Sequence, residues 1–111
     1  MIHYLFALII FLHGVVHLVG YSKAFRYSEL KNITVPISKP VGILWIVTCV
    51  LFIITSILYL LHTDYWWMAG LIAVIMSQIV IMLAWKDAKF GTLANLLILV
   101  LVLVYLFKKY V

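Results

Sequence analysis

Pro40-Val41-Gly42-Ile43-Leu44-Trp45-Ile46-Val47-Thr48-Cys49-Val50-Leu51-Phe52-Ile53-Ile54-Thr55-Ser56-Ile57-Leu58-Tyr59-Leu60-Leu61 is a run of 22 residues without a charge. At ~1.5 Å per helical residue it reaches about 30 Å, the thickness of a bilayer's hydrocarbon core. The run therefore reads as a membrane span. Pro40 opens it, since its missing N–H costs nothing in a first helical turn, and Ser38 or Lys39 stands where a cap belongs.

Working outward, three more stretches of the same character appear, at about 2–22, 66–85 and 92–107. The whole chain has 111 residues, of which 68% are hydrophobic and only 10% charged. A water-facing surface carries roughly 25 to 35% charged residues, so a soluble monomer is excluded and most of this surface meets lipid. The mean hydropathy of +1.29 agrees. Four crossings of ~20 residues consume about 80 and leave about 30 for ends and connections, so the expectation is one all-α domain over 1–111, an up-and-down bundle of four transmembrane helices. The first stretch begins too early for a basic signal-peptide start, which favours a retained helix.

The connections set the direction. His62, Thr63, Asp64 and Tyr65 make a tight turn, after which the Trp66 and Trp67 indoles suit an interface. Lys86-Asp87-Ala88-Lys89 and Gly91 make the turn into the last span. An even number of spans puts both ends on one side. Six Lys or Arg (Lys23, Arg26, Lys31, Lys39, Lys86, Lys89) lie on the opposite side, against Lys108 and Lys109 on the side of the termini. By the positive-inside rule the six face the cytoplasm and both termini are external. The net charge of +5 is thereby explained by topology, without nucleic acid as a partner. In the connection 23–39, Phe25, Tyr27, Leu30 and Ile33 alternate with charges, which places it along the inner interface. Its basic residues either anchor topology or bind anionic head groups. The sequon Asn32-Ile33-Thr34 goes unused on a cytoplasmic connection. Cys49, the one cysteine, sits in an apolar run and reads as a small buried hydrophobe.

Polar residues inside spans demand explanation. His3, His13 and His17 fall within an arc of about 80° at ~100° per residue, with Tyr21, Gly14 and Gly20 flanking the same side. That face turns toward protein. His3 lies about 21 Å from His17 along the axis, while His13 and His17 are only about 6 Å apart, so only the latter two can share a site. Counted from the cytoplasmic ends, Gln78 is level with His13 and Asn95 with His17, with Ser77, Thr92, Thr48 and Cys49 in the same half. Polar groups in hydrocarbon must find partners. The expected ligand-binding set is His13, His17, Gln78 and Asn95, with Ser77, Thr92 and Tyr21 behind them. The plain alternative is hydrogen-bonded glue between helices, with neutral imidazoles.

Spacing of four can give a metal two ligands, but zinc needs three or four and a single haem needs ligands on opposite faces, so no metal site is assigned and the cofactor is left open. No Gly-x-Ser-x-Gly, phosphate loop, His-Glu-x-x-His or pair of membrane carboxylates occurs.

The segments Phe11-Leu12-His13-Gly14-Val15-Val16-His17-Leu18-Val19-Gly20-Tyr21-Ser22-Lys23-Ala24-Phe25, Ile37-Ser38-Lys39-Pro40-Val41-Gly42 and Trp85-Lys86-Asp87-Ala88-Lys89-Phe90-Gly91-Thr92-Leu93-Ala94-Asn95 resemble uncharacterised bacterial four-span proteins. That resemblance implies a bacterial cytoplasmic (inner) membrane location. The His-Gly start and Lys-Ala-Phe end of the first span are similar to DoxX-like membrane proteins, some linked to quinone-dependent oxidation of sulfur compounds. The length and span count resemble small multidrug exporters, but where those carry a membrane glutamate this chain has His13. Three functions follow as expectations: a structural or accessory membrane module or small-ligand binder, a quinone- or haem-linked redox subunit of DoxX-like type, and a small proton-coupled transporter. Self-association or a larger membrane complex is expected, and close helix contacts are expected at Gly14, Gly20, Ala69, Gly70, Ala73 and Ala94.

Overall fold

A computed structural model describes residues 2–25 and 37–110. The expectations for an interfacial connection, for head-group binding and for the sequon fall largely on 26–36, outside the described residues. The described chain is helical: α1 (Ile2–Val16), α2 (Leu18–Phe25), α3 (Lys39–Leu60), α4 (Trp66–Leu83), α5 (Trp85–Ala88) and α6 (Gly91–Tyr110). Four stretches are long and apolar enough to cross a membrane, namely Ile2–Ser22, Lys39–Leu60, Trp66–Leu83 and Gly91–Tyr110. The chain is a multi-pass membrane bundle, and its 45 Å long axis matches a bilayer of about 40 to 45 Å including head groups.

Local chemistry sets the helix ends. Ser38 caps α3, its Oγ accepting the Val41 N–H at 3.4 Å, and Pro40 occupies the first turn. At the other end the Thr63 N–H reaches the Leu58 carbonyl and the His62 N–H the Tyr59 carbonyl, both at 3.2 Å, with His62 at φ 55°. This is a Schellman stop with histidine in the left-handed position usually given to glycine.

The first span, expected as one helix, is interrupted at His17. In an unbroken helix the His17 N–H donates to the His13 carbonyl. Here the His17 ring takes that acceptor, Nδ1–H donating to it at 2.7 Å, and the displaced amide tightens to the Gly14 carbonyl at 3.0 Å. The third span, expected to reach Trp85, stops at Leu83, because Ala84 leaves helical dihedrals at φ −126°, ψ 36°, and a separate short helix, α5, begins at Trp85.

Packing follows chain order: α1 and α2 lie on α3, α3 on α4, and α4 on α6, while α1 and α6 meet at few points. Mid-bundle, Ile10, Phe52, Ala73, Val74 and Ile98 form the apolar core; toward the end that carries residues 37 and 88, Trp45, Val80 and Ala84 form a second. Close approach depends on small residues, since helices in lipid gain little from hydrophobic transfer. A Cβ on Gly14 would stand 2.7 Å from Phe52 Cβ, and one on Gly20 would collide with the Trp45 indole. Outward-facing Leu8, Leu12, Ile43, Ile75, Leu96 and Leu103 are exposed, an apolar mantle that water does not tolerate at this extent.

An aromatic belt ties the opposite end together. His3 stacks on His62 with centroids 4.1 Å apart and 10° between planes, and meets Tyr59 at 4.2 Å with the rings tilted by 36°. Tyr59 meets Trp66 at 4.8 Å, and Trp66 meets Tyr105 at 5.3 Å. The Tyr105 hydroxyl donates to Asp64 at 2.8 Å, and Lys109 stands 3.6 Å from the same carboxylate. Together these two groups, the hydroxyl first and the lysine charge second, hold the Asp64 carboxyl below its ordinary range.

Candidate functional site

α1 presents His13 and His17 to the bundle interior on successive turns, their rings edge to face with centroids 4.9 Å apart. His17 is 2% exposed and sits against Phe52 and Trp45. A carbonyl can only accept, so the bond to His13 O fixes the proton on His17 Nδ1. In the neutral ring Nε2 is then an acceptor, and the Ser77 hydroxyl donates to it at 2.8 Å.

His13 leads a second set of bonds. Its Nε2–H donates to Asn95 Oδ1 at 2.7 Å, Asn95 Nδ2–H to Gln78 Oε1 at 3.1 Å, and Gln78 Nε2–H to Thr92 Oγ1 at 3.1 Å. This relay links α1, α4 and α6. Such connected buried networks are worth more than their separate bonds. The structure thus brings together His13, His17, Ser77, Gln78, Thr92 and Asn95. Pairing is one turn away from the sequence count, which set Asn95 level with His17; it bonds His13 instead. Residue counts along helices that are interrupted and unequally seated register depth only to about one turn, ~5.4 Å.

Other polar residues of that half take different partners. Thr48 donates to Leu44 O of its own helix at 2.7 Å, and Cys49 lies buried against Gly14. Tyr21 is half-buried beside the Trp45, Val80 and Ala84 group.

The Ser77 hydroxyl, His17 imidazole and His13 carbonyl have the order of bonds found in an activated serine. Ser77 is 0% exposed in mid-helix, however, where neighbouring N–H groups are consumed by the helix, so nothing is left to hold an oxyanion. Metal ligation fares no better. Both nitrogens of His17 and Nε2 of His13 are already engaged, and among the described residues no three His, Cys, Asp or Glu side chains gather.

Beside this network lies a cavity of about 270 Å³. Among the described residues His13 and His17 form its polar wall, and Gly20, Trp45, Ile81 and Gly91 are among the others that line it. Sequence reasoning missed Trp45 as a site residue. Trp45 is 6% exposed, and its buried Nε1 has no acceptor among the described residues. A tryptophan inside a span, at about the depth of His17, was the available signal.

Comparison with family models, characterised proteins and solved structures yields no match to this chain.

Proposed function

We propose that this chain is a small integral membrane module that binds a small, mostly apolar molecule in the cavity walled by His13 and His17. The observation that carries this reading is the cavity itself: a helix bundle stabilised only by internal packing has no use for a void of about 270 Å³ next to its most polar interior surface. The network of Asn95, Gln78, Thr92 and Ser77 orients the two imidazoles that face it. The module sits in a bacterial cytoplasmic membrane with both termini external, on the count of basic residues in the connections, and works as a homo-oligomer or as an accessory subunit of a membrane complex.

The DoxX-like redox reading and the transporter reading rest on resemblance. A haem does not suit the donor set, since each imidazole is held by protein partners, and exchange through a membrane carboxylate lacks the carboxylate. Native mass spectrometry of the gently purified protein tests the binding reading. The expected result is a retained small molecule in the wild type that is lost from His17→Gln while the variant remains folded. Wild-type protein that carries no small molecule under any mild extraction overturns it.

A further inference from the structure

The hydrogen bonds decide which nitrogen of His13 carries the proton. Gln78 spends its amide N–H on Thr92, so its oxygen takes the Asn95 amide, and the Asn95 oxygen is left to accept from His13 Nε2. In the neutral ring Nδ1 is then a bare lone pair. Nothing among the described residues bonds it, and the unpaired side-chain nitrogens shut away from water's reach are His3 Nε2 and Trp45 Nε1, not this one.

The open edge of the ring borders the cavity. Nε2 is turned to Asn95, while Cε1, which joins the two nitrogens, stands 3.8 Å from where a Cβ on Gly91 would lie; His13 and Gly91 both line the cavity. The second imidazole of the wall, His17, has both nitrogens committed, to His13 O and to Ser77. Among the described residues of the wall, His13 Nδ1 is thus the one side-chain acceptor left free.

The way in limits the ligand further. The first and last spans meet at few points, and the cavity opens along that seam: Val16 and Val19 of the first span and Phe90, next to α6, line it and are themselves exposed. What enters there comes out of hydrocarbon, in which an ion does not dissolve. A neutral apolar body with one hydroxyl does dissolve, and its O–H gains a partner at Nδ1.

We propose, building on the binding reading above, that the cavity takes a neutral, lipid-soluble molecule bearing a hydroxyl, which enters between the first and last spans and donates to His13 Nδ1. Asn95 keeps the proton on Nε2 and so keeps Nδ1 an acceptor, which selects the hydroxyl over a hydrocarbon of equal shape.

2-Naphthol and naphthalene test this, being alike in shape and differing in one hydroxyl; 2-methoxynaphthalene has the oxygen without the donor. Equilibrium binding of each, radiolabelled, is measured to the full chain in nanodiscs of ether-linked lipid and referred to its concentration in the bilayer. 2-Naphthol is expected to bind about tenfold more tightly than the other two, the size of one net buried hydrogen bond. In His13→Gln, whose amide reaches the place of Nε2 but puts nothing at Nδ1, the preference is expected to fall to within about twofold, with naphthalene affinity unchanged. Equal binding of 2-naphthol and naphthalene, a preference shared by 2-methoxynaphthalene, or one that survives His13→Gln overturns the proposal and leaves the cavity reading standing. Saturable binding of none of the three overturns both. Nitrogen NMR of histidine-labelled wild type needs no variant. His13 is the Nε2–H tautomer and His17 the Nδ1–H one, so a shift of the bare Nδ1 resonance with 2-naphthol and not with naphthalene supports the acceptor, and an unmoved resonance refutes it. Diacylglycerol added to the nanodiscs assigns the source of the natural hydroxyl: displacement of 2-naphthol points to a bilayer lipid, and none to a free lipid-soluble molecule.

Discussion

His13 Nε2 and Asn95 Oδ1 stand 2.7 Å apart across 82 positions of sequence, joining α1 to α6 where those helices otherwise scarcely touch. The bond closes a bundle whose other contacts run mainly between chain neighbours. Asn95→Leu removes the acceptor of His13 and the donor to Gln78 together. We expect a loss of about 1 to 3 kcal/mol in unfolding from mixed micelles, against less than about 0.5 kcal/mol for Leu96→Val on the lipid face. Equal losses in the two variants would show that the relay is not structural.

The glycines separate two kinds of contact. Ala for Gly in a helix gains up to about 1 kcal/mol in propensity, so sign depends on space. At Gly14 the new Cβ meets Phe52 Cβ at 2.7 Å and the Cys49 carbonyl at 3.2 Å, atoms attached to or part of a helix backbone. Gly14→Ala should destabilise by about 1 to 3 kcal/mol. At Gly70 the nearest atoms are methyls of Thr55 and Val102 at 3.4 Å, ordinary contact. Gly70→Ala should be neutral or stabilising by up to about 1 kcal/mol, and thermal unfolding of the two variants side by side measures the contrast.

His62 combines an unfavourable backbone with a favourable ring. Its φ of 55° costs a side-chain-bearing residue about 1 to 2 kcal/mol, while stacking on His3 returns roughly 0.5 to 1.5. His62→Gly alone should therefore change stability little. In a His3→Ala background, where the stack is already gone, His62→Gly should stabilise by about 1 kcal/mol. A double-mutant cycle with no coupling between the positions would refute the compensation.

Asp64 should make stability pH-dependent from the end with the aromatic belt. The Tyr105 hydroxyl and then Lys109 hold its folded pKa below the unfolded value. The contribution is thus present above the unfolded pKa and fades as pH falls through the depressed folded one. Melting temperature of the wild type minus that of Asp64→Asn, followed from about pH 6 to pH 2, should shrink toward the acid limit. A difference that grows on acidification would show the sign to be wrong.

Fold class was legible because transfer of apolar residues into hydrocarbon acts along the chain one segment at a time: the charge-free run 40–61 and its three counterparts declare themselves without neighbours. Histidine spacing likewise placed His13 and His17 on one face, since helical period is a property of the backbone. Partner choice is of another kind. Whether Asn95 meets His13 or His17, and whether Ser77 or Gln78 takes the second imidazole, depends on shifts of less than one helical turn between α1, α4 and α6, which packing sets. The same is true of the break at His17, where a ring replaces its own amide as donor to His13 O, and of Trp45. Its sequence context shows a tryptophan in a span, and only the placement of Gly20, Val80 and Ala84 around the indole leaves that N–H without an acceptor.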